Sequence, residues 1–202
     1  IYGQAAIRTI TSIPPCSEFT ILHSGDFFHY DNFAGTTSRS GHIVDRDSRF
    51  PAMIASGMRI IRRFIDLALE HHKTVRDINV TGNHDDVGSI WLNVTLPMIY
   101  ENNKRVIFQT DPVPIHVWTW GKNLMSATHG NSIKPKDMPA IVAWDFPKEC
   151  GETEFRFGMI GHFHTSQVYE YPGFTSEVFR TLAAKDAYAT WNPYRSLQDV
   201  NT

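Results

Sequence analysis

The sequence predicts an α/β domain of two packed sheets with helices outside them. Three observations carry this. The first half of the chain alternates helix-like and strand-like segments. The second half holds two hairpin signatures. Four strand-like segments end in glycine or histidine beside other polar residues able to hold a metal.

The elements follow in order. Residues 2–12 read as a helix that Pro14-Pro15 stops, because proline has no N–H and restricts the residue before it. Phe19 to Leu22 reads as a short buried strand ending in Ser24-Gly25-Asp26. Residues 31–50 are rich in Gly, Ser, Thr and Asp without a clear period, so they read as a long loop. From Pro51 a helix follows. Its apolar stripe, Ile54, Met58, Ile61, Ile65 and Ala68, keeps to one face. Val75 to Val80 is the next strand, ending in Thr81-Gly82-Asn83-His84-Asp85. Residues 87–101 look helical, with Pro97 inside, and Arg105 to Gln109 is a short strand.

Then the pattern changes. Residues 115–120 and 124–128 flank Gly121-Lys122-Asn123, a hairpin signature. A helix is expected around 135–146, and a strand from Phe155 to Ile160 ends in Gly161-His162-Phe163-His164. Val168 to Tyr171 and Ser176 to Leu182 flank Pro172-Gly173 as a second hairpin.

Composition removes several classes of function. The 202 residues carry 19 Lys+Arg against 21 Asp+Glu, so the net charge of −2 gives no broad footprint for nucleic acid. No run of about 18 apolar residues exists, so no membrane partner is expected. Cys16 and Cys150 form neither a disulfide framework nor a CxxC zinc pair, and a reducing cytoplasm is the expected location. Residues 1–202 read as one domain. The start at Ile1 without Met and the end at Thr202 read as an excerpt truncated at both ends.

The chemistry gathers at strand ends. In open α/β sheets, ligands sit outside the carboxyl ends of the strands. Here those ends offer Asp26, the run Asn83-His84-Asp85, His129, and the pair His162 and His164. Alone, Asp26 reads equally as a helix cap, and His129 as a core histidine. A lone HxH is weak, whereas the four elements in order are a specific signal. In sequence, 57, 46 and 33 residues separate Asp26, Asn83, His129 and His162 in turn.

The set resembles the calcineurin-like metallophosphoesterase superfamily, whose order is DxH, GDxx(D/H), GNH(D/E), an isolated His and GHxH. The matching residues are GDFFH at 25–29, GNHD at 82–85, His129 in ATHG, and GHFH at 161–164. The resemblance implies a four-layer αββα sandwich and hydrolysis of phosphoesters by a metal-activated water. It implies Asp26, Asn83, His129 and His162 around one divalent ion and His164 on a second. Mn²⁺ is the first expectation, with Fe or Zn²⁺ as alternatives for a thiolate-free ligand set. His84 becomes the acid toward the leaving oxygen, and Asp85 the group that holds its tautomer.

One departure stands out. No DxH precedes Asp26, which reads either as loss of the first strand of the family pattern or as a natural variant that binds one ion, and in both cases one tight ion is expected in this chain rather than two. His29 resembles the GDLFH element of SbcD-type double-strand-break repair nucleases, which implies a phosphodiester substrate, DNA or a nucleotide. Arg180 and Lys185 are the candidate substrate-binding cations, with Lys134, Lys136 and Arg195 as further basic residues. Trp118, Trp120 and Trp144 are read as core or as base-stacking groups. The texture of residues 179–196 resembles phosphoesterases of bacteriophages. A phosphomonoesterase and an inactive scaffold are the competing readings, and oligomeric state is left open.

Overall fold

A computed structural model of the chain describes residues 2–37, 41, 43 and 50–182. The elements run α1 (Tyr2–Ser12), β1 (Glu18–His23), α2 (Phe50–His71), β2 (Thr74–Asn79), α3 (Asp86–Ile99), β3 (Val106–Gln109), β4 (His116–Trp120), β5 (Asn123–Thr128), α4 (Met138–Asp145), α5 (Pro147–Glu152), β6 (Phe155–Ile160), β7 (Gln167–Tyr171) and β8 (Phe174–Val178). Strands β1, β2 and β3 form a parallel sheet in that order. The other five form a mixed sheet, β4-β5-β6-β8-β7.

Three apolar clusters define four layers. Ile10, Ile61, Ile65, Leu92 and Leu96 pack the first three helices onto Val75 of β2. Ile78 and Val80 meet Trp118 and Ala127 between the two sheets. Met138 and Val142 of α4 pack on Leu124, Ile160 and Val178 of the second sheet. The chain is therefore a mixed α/β sandwich with helices on both outer faces, the αββα order expected from the sequence. Strand period explains the split, because successive side chains point to opposite faces. Thus Val75 meets the helices and Ile78 meets the other sheet.

The stripe on α2 holds: Ile61, Ile65 and Ala68 are buried, and Ile54 and Met58 are half-buried. Two expectations need correction. The helix expected over 135–146 is α4, and a separate helix, α5, follows it. Phe146 stands before Pro147, and its φ of −126° and ψ of 53° leave the helical region, as proline demands of the residue ahead of it. The strand expected to run to Leu182 ends at Val178. Its partner β6 ends at Ile160, and the Phe179 N–H bond to the Ile160 carbonyl, 2.8 Å, follows the last paired residues of the ladder. Among the described residues, no helix is long and apolar enough to cross a membrane.

This architecture places the site. The parallel strands β1 and β2 bring their carboxyl ends together in one sheet. The parallel strands β5 and β6 do the same in the other, and the sheets are packed face to face.

Candidate metal centre

Four loops leave these strand ends, and each delivers one side chain to a common point. The hub is His129 Nε2. It lies 3.1 Å from Asp26 Oδ2, 3.0 Å from Asn83 Oδ1 and 3.2 Å from His162 Nδ1. The other ring nitrogen of His129, Nδ1, lies 2.7 Å from the Ser24 carbonyl oxygen. A carbonyl can only accept, so Nδ1 carries the hydrogen and a neutral ring presents a bare lone pair at Nε2. Asp26 Oδ2 and Asn83 Oδ1 face that lone pair, with His162 Nδ1 as the third neighbour, and positive charge among them, a proton or a cation, is favoured.

The titration behaviour agrees. Burial pushes the Asp26 carboxyl up, but the hydrogen bond and charge of His129, with His84 behind them, outweigh it and hold it at about 2. Burial pushes His129 down, yet Asp26 lifts it above the usual histidine value. His162 goes the other way: burial and the neighbouring His129 lower it to about 4.

The donor set tests the fit of a metal. A carboxylate, an amide and two imidazoles without thiolate suit a borderline divalent cation. Their separations of 3.0–3.2 Å from the hub match neighbouring ligands around an ion bonded at roughly 2.1 Å. The residues present fit the group.

Backbone strain marks the same place. Among the described residues, the non-glycine residues with positive φ are Asp26 at 55°, His162 at 65° and His164 at 55°. Each costs roughly 1–3 kcal/mol, and such outliers cluster at functional sites. Gly82 permits the close approach of two loops, since a Cβ there would stand 2.8 Å from Asp85 Oδ1 and nearer still to Asp26.

The remaining candidates fall differently. His84 donates its backbone N–H to Asp26 Oδ1 at 2.9 Å, and its Nε2 is 4.0 Å from Asp26 Oδ2. The expected partner of its imidazole was Asp85. Instead His84 Nδ1 lies 3.0 Å from the His29 carbonyl oxygen. Asp85 is fully buried and accepts the N–H groups of Phe28 and Gly82 at 3.1 Å each. Both its oxygens brace the Asp26 loop against the Asn83 loop, so the tautomer of His84 is set by backbone. Burial, then the Asp26 charge, raises the Asp85 carboxyl to about 6. His29 itself places its ring 5.8 Å from that of His84.

His164 is exposed, and among the described residues the His/Cys/Asp/Glu group within ligand distance of one another is Asp26, His129 and His162. Arg180 is half-buried just past β8, and Lys185 lies outside the described residues. Lys134 donates to the carbonyls of Gly130 and Asn131 at 3.1 and 2.9 Å, bracing the loop after His129. Trp118 is core between the sheets, whereas Trp120 and Trp144 are exposed. Sequence reasoning missed Ser24 and the carbonyl of His29. Any residue type supplies a carbonyl, so no sequence signal marks them.

No family model and no curated protein matches the chain. Among solved structures, a conserved uncharacterized protein from Streptococcus pneumoniae TIGR4, described as a predicted phosphoesterase, resembles it at 14% identity. The likeness covers 62% of this chain and 67% of that one, with a TM-score of 0.33. A likeness that distant carries no argument, and the functional reading rests on the chain's own residues.

Proposed function

We propose that this chain is a metal-dependent phosphoester hydrolase of the calcineurin-like kind. The convergence of Asp26, Asn83 and His162 on His129 Nε2, with Nδ1 fixed by Ser24, carries the reading. The order of the four sequence elements supports it.

A bound divalent cation, Mn²⁺ first, supplies a Lewis acid for the phosphoryl oxygen and lowers the pKa of water. The chain supplies the rest. Asp26, Asn83, His129 and His162 hold the cation. His164, exposed and outside the close group, takes no part in this first shell. His84, oriented by the His29 carbonyl, presents Nε2 toward the same point. Water oxygen bonds to phosphorus, the ester P–O bond breaks, and the leaving oxygen takes the Nε2 proton of the imidazolium form of His84, which keeps its Nδ1–H on the His29 carbonyl and regains the Nε2 proton from solvent. The proton lost by water passes to solvent. Asp85 contributes by holding the two ligand loops together.

A phosphodiester is the proposed ester class, on the resemblance of the GDFFH element. Phosphodiesterase activity on DNA or a nucleotide is the finer form of that reading. The test is a panel of bis-p-nitrophenyl phosphate, p-nitrophenyl phosphate and single-stranded DNA with Mn²⁺, beside calorimetric titration with Mn²⁺ alone. About one tight ion per chain and diester turnover are expected. No Mn²⁺ binding, or binding unchanged in His129→Ala, overturns the proposal.

A further inference from the structure

Helix α3 is apolar on two opposite faces, and the chain's own core uses one of them. Leu92 and Leu96 point inward and pack with Ile61 and Ile65 of α2 and Val75 of β2. On the other side, positions 87, 90, 91, 94 and 98 step by 3, 1, 3 and 4, which keeps them on a single stripe. They are Val87, Ile90, Trp91, Val94 and Met98, and each is 51–66% exposed. Asp86, in the first turn, is the helix's one charged residue.

A helix with apolar residues on two opposite faces is ordinarily buried on both. The inner leucines already anchor α3, so the outer stripe is a cost in water that the single chain bears without return. Its five side chains present roughly 500 Å² of apolar surface, near the upper end for a patch on a monomeric protein. Two copies laid face to face hide about 1,000 Å² from these side chains alone, the area at which a contact between proteins becomes specific, and the flanking atoms add to it.

The pattern of the stripe is also complementary to itself. When a copy is turned end for end, Val87 comes opposite Met98 of the second copy, and Trp91 opposite its Val94. Each large side chain then meets a smaller or a flexible one, and the same patch serves both copies, as a two-fold contact requires. The absence of charge along the stripe leaves no ion unpaired at the centre of that contact. The antiparallel direction sets the N-terminal end of each helix, partly positive, beside the partly negative C-terminal end of the other.

We propose that this chain forms a homodimer through α3, the exposed stripes of two copies packed antiparallel across a two-fold axis. The contact is independent of the hydrolase reading, since neither metal nor substrate takes part in it.

Sedimentation equilibrium of the full chain, without metal or substrate, tests it. A reversible monomer–dimer equilibrium in the micromolar range is expected. Trp91→Glu and Val94→Glu each bring an unpaired charge into the contact and should raise the dissociation constant at least about tenfold. Melting of the dilute monomer should stay at the wild-type temperature, since both positions are exposed. Trp144→Glu, at an exposed position on α4 in the other helical layer, is the control and should leave the dimer intact. Mixing tests the direction of pairing. Val87→Lys and Met98→Glu should each weaken self-association, and an equal mixture should recover a heterodimer. In it the two new charges meet at one end, and Met98 meets Val87 at the other. A monomer at every concentration up to the solubility limit, or a dimer indifferent to both glutamate substitutions, overturns the proposal. A dimer lost in those variants but not recovered in the mixture overturns the antiparallel pairing. A monomer that floats with phosphatidylcholine vesicles, and no longer does so in Val94→Glu, gives the face to a lipid surface and overturns the dimer.

Discussion

Replacing Gly82 with alanine places a methyl group in the seam between the Asp26 and Asn83 loops. The new Cβ would lie 2.8 Å from Asp85 Oδ1 and nearer still to the backbone nitrogen and Oδ1 of Asp26. Ordinary contact begins at 3.4 Å, so the Asp85 side must yield by 3.4 less 2.8, or 0.6 Å, and the Asp26 side by more. None of these atoms ends a flexible side chain. Asp26 Oδ1 is held by the His84 N–H, and Asp85 Oδ1 by the N–H of Gly82 itself. The two loops must separate, with an expected destabilisation of about 1–3 kcal/mol from overpacking. The same separation takes Asp26 and Asn83 apart at the hub. Mn²⁺ affinity should therefore fall roughly 10–100-fold, as when groups that position metal ligands are lost. Thermal melting and calorimetric Mn²⁺ titration read the two effects. Gly3→Ala in α1, where an added Cβ meets nothing within 4 Å, is the control and should be neutral or slightly stabilising. A Gly82→Ala chain with wild-type melting and Mn²⁺ affinity would refute the close-approach argument.

Other outcomes follow from the same geometry. His84→Ala should lower kcat by about 10² or more while leaving Mn²⁺ affinity within roughly threefold; turnover surviving within about tenfold would remove the acid role. Asp85→Ala leaves the Phe28 and Gly82 N–H groups without their acceptor in a buried place. At about 1–3 kcal/mol for each of these two groups, urea unfolding should show a loss of roughly 2–6 kcal/mol. A loss below 1 kcal/mol would mean that the carboxylate does not brace the loops. Burial holds buried His116 below the usual histidine value, with Asp111 pulling the other way. The unfolded chain takes that proton at about 6.5, so stability is full above that pH and is lost as pH falls below it. His116→Gln should therefore lose less melting temperature than wild type between pH 7 and pH 5, and an equal loss would contradict the assignment.

Most of the fold was legible because strand and helix periods differ and because glycine and proline punctuate the chain. The α2 stripe was readable from spacing alone, and its inner members Ile61, Ile65 and Ala68 are buried. The break at Phe146-Pro147 was also present in the sequence, in the restriction proline places on its predecessor, but the apolar run through it masked it. The end of β8 was not legible, because it is fixed by where β6 stops, in a different part of the chain. The ligand loops were legible by residue type. Their mutual orientation was not, since it depends on backbone carbonyls. Ser24 lies 105 residues from His129, and the carbonyl of His29 lies 55 residues from His84. For the same reason Asp85 could be read as a partner for histidine, when its oxygens are engaged by amides of two loops.

The four side chains at the hub come in pairs from opposite halves of the sandwich. Asp26 and Asn83 follow β1 and β2, and His129 and His162 follow β5 and β6. An ion lodged among them acts as a rivet through the seam where the sheets meet. Loading it should resist shear of one half past the other, and a chelator should release that resistance. Slowed amide exchange in Ile78, Val80 and Ala127, in the apolar layer between the sheets, would register the fastening before a single ester is cut.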